Sequence, residues 1–205
     1  MNEQTAVFPQ ARRARRWGKI IAWVLGGLCL LAFAAYFGIG TAAAVQLSAP
    51  KRNFDPANNP SLFNLAYEEV RYPARVDATT IAAWYIPSAK NTRAVILVNG
   101  RDDSRTYAFK GHFVDFAAAL QQAGYSVLMI DLRGHGQSGD GRFTFGIKER
   151  RDVLGGVDWL TAHGYQPKSI AVFGYSLGGG SVIGAAAEEP SVGAVVTEAA
   201  YADIK

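Results

Sequence analysis

The stretch IAVFGYSLGGGSV, residues 170–182, decides the fold. Its first half is an apolar run of strand length, and its second half consists mostly of small residues that favour a helix beginning near Ser176. A serine in a tight strand-to-helix turn needs small residues two positions before and after it, because the main chains approach closely there. Gly174 and Gly178 meet that requirement. The pattern predicts Ser176 as a nucleophile exposed at the end of a strand.

The helix that begins after Ser176 has a second consequence. Backbone N–H groups in a first helical turn carry partial positive charge, so the N–H of Leu177 is aimed at an oxyanion that develops beside the serine. The alternative is a glycine-rich turn that contains an incidental serine. The strand before the turn and the helix after it favour the catalytic interpretation.

Strands and helices alternate on both sides of this turn. Apolar runs of strand length occupy residues 94–99, 126–131 and 192–199, and apolar residues at helical spacing occupy 111–123 and 147–161. Buried strands separated by helices predict a doubly wound, mostly parallel α/β sheet. Residues 68–76 and 79–87 read as two strands joined by a short turn, which predicts one antiparallel hairpin at the beginning of the sheet.

Three segments in this order resemble the α/β-hydrolase superfamily: Asn99-Gly100-Arg101, residues 131–139 and the turn at 174–178. The resemblance covers about residues 67–205 and is closest to the serine-esterase and prolyl-oligopeptidase-like branch, some of whose members have an N-terminal membrane anchor. It implies Ser176 as nucleophile, the backbone N–H groups of Leu177 and Arg101 as oxyanion donors, and a small-molecule acyl substrate. The family usually has His-Gly before the second donor, whereas this chain has Asn99-Gly100.

The segment at 131–139 also matches the dinucleotide fingerprint through Gly134, Gly136 and Gly139. That fingerprint requires a helix at the last glycine, so that the phosphates meet a helix N-terminus. The residues that follow, 140–142, start no helix, so we expect no dinucleotide and no other cofactor. In the resembling family this segment is structural, which implies that Asp131, Arg133 and His135 brace loops; we expect His135 to be packed rather than to act as a base.

A base and a carboxylate must accompany a serine nucleophile, and in this fold both follow the serine in the chain. All three histidines, His112, His135 and His163, precede Ser176, so we expect neither triad base nor triad acid among these residues. Glu198 and Asp203 follow the last strand, where a minority of the resembling family carries the triad acid; we expect structural carboxylates there instead. The chain therefore resembles the front part of a hydrolase whose last strands are missing, and we expect it to be inactive as given, with an unpaired strand edge.

The N-terminal part predicts a membrane anchor. Residues 20–40 carry no charge and, at about 1.5 Å per residue, are long enough as a helix to cross a bilayer. We expect a basic cytoplasmic tail at 1–19, a signal anchor at 20–42 in the lipid bilayer, and a proline-containing linker at 43–66. The domain would then lie outside the cytoplasmic membrane. The alternative is a signal peptide cleaved near Ala42 or Ala44.

Charge and cysteine content exclude several protein classes. The net charge of +4 comes from residues 1–19, and the rest of the chain has as many acidic as basic side chains, which argues against nucleic-acid binding. A single cysteine, Cys29, excludes an intramolecular disulfide and any multi-cysteine metal site, and we expect no metal.

Two other functions compete with a membrane-anchored serine hydrolase. The absence of a histidine after Ser176 also fits a membrane-anchored binding or scaffold module that does no catalysis. A weaker possibility is that another chain completes the sheet and supplies the histidine.

Overall fold

A computed structural model describes residues 10–89 and 92–201, with side chains from Arg16 onward. The chain divides into two compact units, Met1–Leu47 and Ser48–Lys205. The first unit contains helix α1, Gln10–Leu47. Within its segment Arg16–Leu47, a stretch of 18 residues has a mean hydropathy of 2.3, and none of the residues of that stretch is buried. Such a helix fits a membrane anchor or a signal sequence. The predicted linker begins too early, because residues 43–47 continue α1.

The second unit is built on a six-stranded sheet in the order β1-β2-β4-β3-β5-β6. The pairs β1–β2 and β2–β4 are antiparallel, and β4–β3, β3–β5 and β5–β6 are parallel. This confirms the predicted mostly parallel α/β sheet with an N-terminal hairpin. The strands are β1 Glu68–Pro73, β2 Thr80–Ile86, β3 Ala94–Val98, β4 Ser126–Ile130, β5 Ile170–Tyr175 and β6 Ala194–Glu198.

Helices cover both faces of the sheet. Helix α2, Phe113–Gln122, packs with β2, β3 and β4 in one apolar cluster, while α3, Glu149–Ala162, and α4, Leu177–Glu188, pack in a second cluster on the other face. The five residues of β3 and of β4 are all buried, as strands covered on both faces must be.

The register brings three chain segments to one edge of the sheet. Val98 at the end of β3 pairs with Ile130 at the end of β4 and with Gly174 near the end of β5. Because parallel strands end together, the residues that follow them lie side by side. The three segments of the hydrolase resemblance therefore meet at the carboxyl edge, where α/β folds place their sites.

Strand β6 forms one border of the sheet. It pairs with β5 along Ala171–Tyr175, and all five of its residues are exposed, including Val195 and Val196 at 41% and 50%. The sequence predicts such an unpaired strand edge at the border of the sheet.

Residues 48–66 differ from the free linker that the proline content predicts. The segment 48–58, which we call the strap, belongs to the second unit and is hydrogen bonded to its loops. Phe54 packs against the apolar cluster beneath α2 and meets Trp84 edge-on, with ring centroids 5.9 Å apart. The prolines fix local backbone angles, and the strap nevertheless stays hydrogen bonded to the domain.

Candidate active site

Ser176 lies in the turn between β5 and α4. Its backbone has φ 53° and ψ −111°, a conformation that non-glycine residues rarely adopt. Its N–H donates to the carbonyl of Glu198 at 2.9 Å, which fixes the turn to the end of β6. The side chain is half-buried, in the strained strand–turn–helix setting that the sequence predicts.

Glycine at positions 174 and 178 is a steric requirement of this turn. A Cβ on Gly174 would lie 2.2 Å from the carbonyl oxygen of Gly178. A Cβ on Gly178 would lie 2.5 Å from the carbonyl oxygen of Val98 and 2.6 Å from that of Asn99. These are backbone atoms that cannot move aside as a flexible side chain would. The first turn of α4 therefore rests directly on the end of β3.

The candidate oxyanion donors come from different segments. Leu177 is the first residue of α4, and N–H groups in a first helical turn have no acceptor within their own helix. On the other side, a Cβ on Gly100 would lie 3.0 Å from the Tyr175 ring and 3.4 Å from Ser176 Cβ. The loop that follows β3 thus runs beside the serine and brings the backbone of Arg101 into its neighbourhood. The guanidinium of Arg101 itself lies 4.4 Å from the centre of the Phe143 ring.

Asn99 organises this loop, which sequence reasoning did not foresee. Its side chain is fully buried: Oδ1 accepts from the N–H of Leu132 at 2.9 Å, and Nδ2 donates to the carbonyls of Gly100 and Asp103 at 2.9 and 3.0 Å. One amide group thereby joins the loop after β3 to the loop after β4. An asparagine at the end of a buried strand was the available signal, because a buried amide must find several partners.

The turn at 131–139 encloses a carboxylate. The buried Asp131 accepts hydrogen bonds from the N–H groups of Arg105 and Gln137, and from the guanidinium of Arg105. A Cβ on Gly136, at φ 42°, would lie 2.1 Å from Asp131 Oδ2, so glycine makes room for the carboxylate. No helix begins at Gly139; the next one, α3, begins at Glu149.

Arg133 closes the same loop from the other direction. Its guanidinium donates to Asp152 at 2.6 Å and to Asp77 at 2.8 Å, joining the loop to α3 and to the β1–β2 turn. Burial alone would lower the pKa of Arg133, but the hydrogen bonds to the two carboxylates raise it. The arginine is thus a fixed cation that stabilises the loop.

The three histidines hydrogen bond elsewhere than to the serine turn. The Nδ1 of His135 is hydrogen bonded to the Arg133 carbonyl at 2.9 Å. The Nδ1 of His112 is hydrogen bonded to the Asp115 carboxylate at 2.7 Å, and the Nδ1 of His163 to the Trp159 carbonyl at 2.7 Å. His135 is fully buried, and burial lowers its pKa, so the ring is neutral at pH 7.

The two carboxylates considered at the end of the last strand have different outcomes. Glu198 is exposed on β6 and contributes its carbonyl to the Ser176 turn, whereas Asp203 lies outside the described residues. Within residues 10–89 and 92–201, no three metal-ligating side chains cluster.

Most of the chain matches a known protein family. The sequence profile of the X-Pro dipeptidyl-peptidase (S15) family matches residues 35–205. The chain belongs to this family. A solved structure similar to this member of the S15 family is the esterase Pf2001 of Pyrococcus furiosus, with a TM-score of 0.62 and 27% identity over 74% of this chain and 56% of the esterase.

Curated relatives are similar to this chain over part of their length. A polyketide transferase of Stachybotrys chlorohalonatus is 30% identical over 131 residues, which are 62% of this chain and 43% of the relative. An uncharacterized protein of Mycobacterium tuberculosis is 30% identical over 123 residues, 58% of this chain and 41% of the relative. The chain thus spans less than half the length of these relatives. Together, the S15 match and the esterase structure assign the chain to the α/β-hydrolase superfamily.

Proposed function

We propose that the complete protein is a membrane-anchored serine hydrolase that cleaves small esters, thioesters or amides through an acyl-enzyme on Ser176. The observation that carries the proposal is the backbone of Ser176, which is held at φ 53° between β5 and α4 by glycine contacts and by the Glu198 carbonyl. Such a strained turn exposes a serine hydroxyl at the carboxyl edge of the sheet.

The chemistry follows from the position of that hydroxyl. Its oxygen attacks the acyl carbonyl, the bond to the leaving group breaks, and water then releases the acid. The N–H groups of Leu177 and Arg101 are proposed to stabilise the negative charge on the carbonyl oxygen. The general base and its carboxylate are proposed to lie outside the described residues, because in this fold both follow the nucleophile in the chain.

Helix α1 supports the proposed location. Its apolar segment, Arg16–Leu47, is long enough to cross a bilayer, and five basic side chains in residues 1–19 favour a cytoplasmic N-terminus. The hydrolase unit would then lie on the outer side of the cytoplasmic membrane.

A fluorophosphonate probe tests the function. The complete gene product is expected to be labelled at Ser176, and Ser176→Ala is expected to abolish both labelling and turnover of a small acyl ester. Ser191→Ala is the matched control, since Ser191 is exposed and hydrogen bonds to Glu189. A folded protein that resists the probe, or that is labelled equally after Ser176→Ala, would contradict the proposal.

A further inference from the structure

Two hydrogen bonds from the strap reach the loop that follows β3. The N–H of Lys51 donates to Asp102 Oδ1 at 2.9 Å, and Asn53 Nδ2 donates to the Asp102 carbonyl at 2.8 Å. Both contacts thus fall on Asp102, the residue that follows the proposed oxyanion donor Arg101.

Asp102 has a backbone conformation that needs such support. Its φ is 58°, in the left-handed region, where aspartate is tolerated but is still less favourable than in the right-handed region. That angle sets the path of the chain directly after Arg101, whose own N–H lies in the preceding Gly100–Arg101 peptide. Two hydrogen bonds from the strap, one to the side chain and one to the carbonyl of Asp102, hold this residue from the solvent side of the loop.

The opposite side of the loop is held by Asn99. Its buried amide donates to the carbonyls of Gly100 and Asp103, the residues that flank the Arg101–Asp102 pair. The loop is therefore held between the buried amide of Asn99 and the strap. Together these contacts fix the backbone on both sides of Arg101.

The strap is itself firmly attached to the domain. Arg52 donates to the carbonyls of Gly136 and Ser138 at 3.2 and 2.6 Å, and Asn58 Nδ2 donates to the Thr106 carbonyl at 2.8 Å. Phe54 adds an apolar contact, with the Arg105 guanidinium 4.8 Å above its ring. These contacts lie on both sides of Asn53 in the chain, so the strap is fixed where Asn53 holds Asp102.

We infer that the strap is part of the catalytic machinery: Asn53 and Asp102 are positioning residues that orient the Arg101 N–H toward the oxyanion. The inference rests on the proposed function, because the Arg101 N–H matters only if Ser176 forms an acyl-enzyme. It assigns a role in catalysis to the segment that follows α1, beyond that of a tether.

The test compares two asparagines of the same region in the complete gene product. Asn53→Ala removes the donor to Asp102, whereas Asn59→Ala removes only contacts within the segment 56–61. We expect Asn53→Ala to speed amide exchange in residues 99–106 and to lower kcat, each about threefold, with KM nearly unchanged. Asn59→Ala is expected to alter neither exchange in 99–106 nor kcat.

Two variants of Asp102 separate positioning from general stability. Asp102→Asn keeps the side-chain acceptor and tolerates the left-handed conformation, so it is expected to lower kcat less than Asp102→Ala does. Asp102→Ala loses both properties and is expected to lower kcat at least as much as Asn53→Ala.

The outcomes are distinguishable from those for the proposed function. If fluorophosphonate fails to label wild-type Ser176, the proposed function falls, and the inference falls with it. If labelling succeeds but Asn53→Ala matches Asn59→Ala in both kcat and amide exchange, the inference alone is overturned. Equal kcat for Asp102→Asn and Asp102→Ala would overturn it as well.

Discussion

Two glycine-rich turns lie at the carboxyl edge of the sheet, and they use glycine for different purposes. In the turn after β5, Gly174 and Gly178 let backbone approach backbone, which leaves the Ser176 side chain half-buried at the edge. In the turn after β4, Gly136 makes room for the carboxylate of Asp131, which the domain's own donors satisfy. Glycine thus builds both a turn that presents a side chain and a turn that encloses one.

Breaking the enclosed turn is expected to have the largest effect. Asp131→Asn removes the charge that faces the buried guanidinium of Arg105, and an unpaired buried charge costs about 3–5 kcal/mol. The measurement is urea unfolding of the complete gene product. Asp140→Asn is the matched control, because Asp140 is solvent-exposed and pairs with Arg52 at the surface. A loss below about 1 kcal/mol for Asp131→Asn would show that the enclosed carboxylate is dispensable.

Adding a methyl group to the open turn is expected to come next. Gly178→Ala places a Cβ 2.5 Å from the carbonyl oxygen of Val98, so α4 must shift away from β3, at a cost of about 2–3 kcal/mol. Gly184→Ala, six residues later in the same helix, meets the flexible side chain of Arg150 at 3.2 Å, and the nearest backbone atom outside the helix, the Gly146 carbonyl oxygen, is 3.9 Å away. Thermal unfolding of both variants provides the comparison, and equal midpoints would mean that close packing does not explain the glycine at 178.

The two turns also differ in how well the sequence predicts them. The elements on either side of Ser176 follow from local patterns, because a buried strand is a run of apolar residues and a helix of small residues begins where that run ends. The chain around Asp131 is predictable only as a loop. Its structure depends on Arg105, whose side chain reaches the turn from a distant position in the sequence.

The strap shows the same limit more strongly. Its prolines and polar residues are typical of a linker, and nothing in the local pattern indicates that Lys51 and Asn53 bind Asp102, about fifty residues away. Asn99 is an intermediate case. Its place after a buried strand marks it as a buried polar residue, but its acceptor role toward Leu132 becomes visible only when β3 and β4 pair.

Asn99 joins the turn after β4 to the loop after β3, which runs beside Ser176, so its replacement tests whether one turn supports the other. Asn99→Asp keeps an acceptor for the N–H of Leu132 but replaces the amide donor with an oxygen that repels the carbonyls of Gly100 and Asp103. We expect kcat to fall about tenfold with KM nearly unchanged, because the loop beside Ser176 loses its direction.

Steady-state kinetics of the complete gene product give the result, with Asn64→Asp as control. Asn64 is exposed and has φ 55°, which aspartate also tolerates. Similar kinetics for Asn99→Asp and the wild type would separate the loop after β3 from catalysis.

The smallest expected effect is the pH dependence of the free energy of unfolding, to which only the turn after β4 contributes a buried histidine. His135 is buried in the turn after β4, and burial lowers its pKa, whereas the unfolded chain has a histidine pKa of about 6.5. Below that pH the unfolded state binds a proton that the folded state does not. The free energy of unfolding therefore falls as the pH drops, by at most about 1.4 kcal/mol per pH unit from this group.

His135→Gln is expected to remove that contribution. Urea unfolding between pH 7.5 and 5.5 should show a smaller loss of stability for this variant than for the wild type. His112→Gln is the control: its ring is 74% exposed, and His135 remains in place. If His135→Gln keeps the full wild-type slope while His112→Gln reduces it, the pH response belongs to the surface, and the two turns do not differ in this respect.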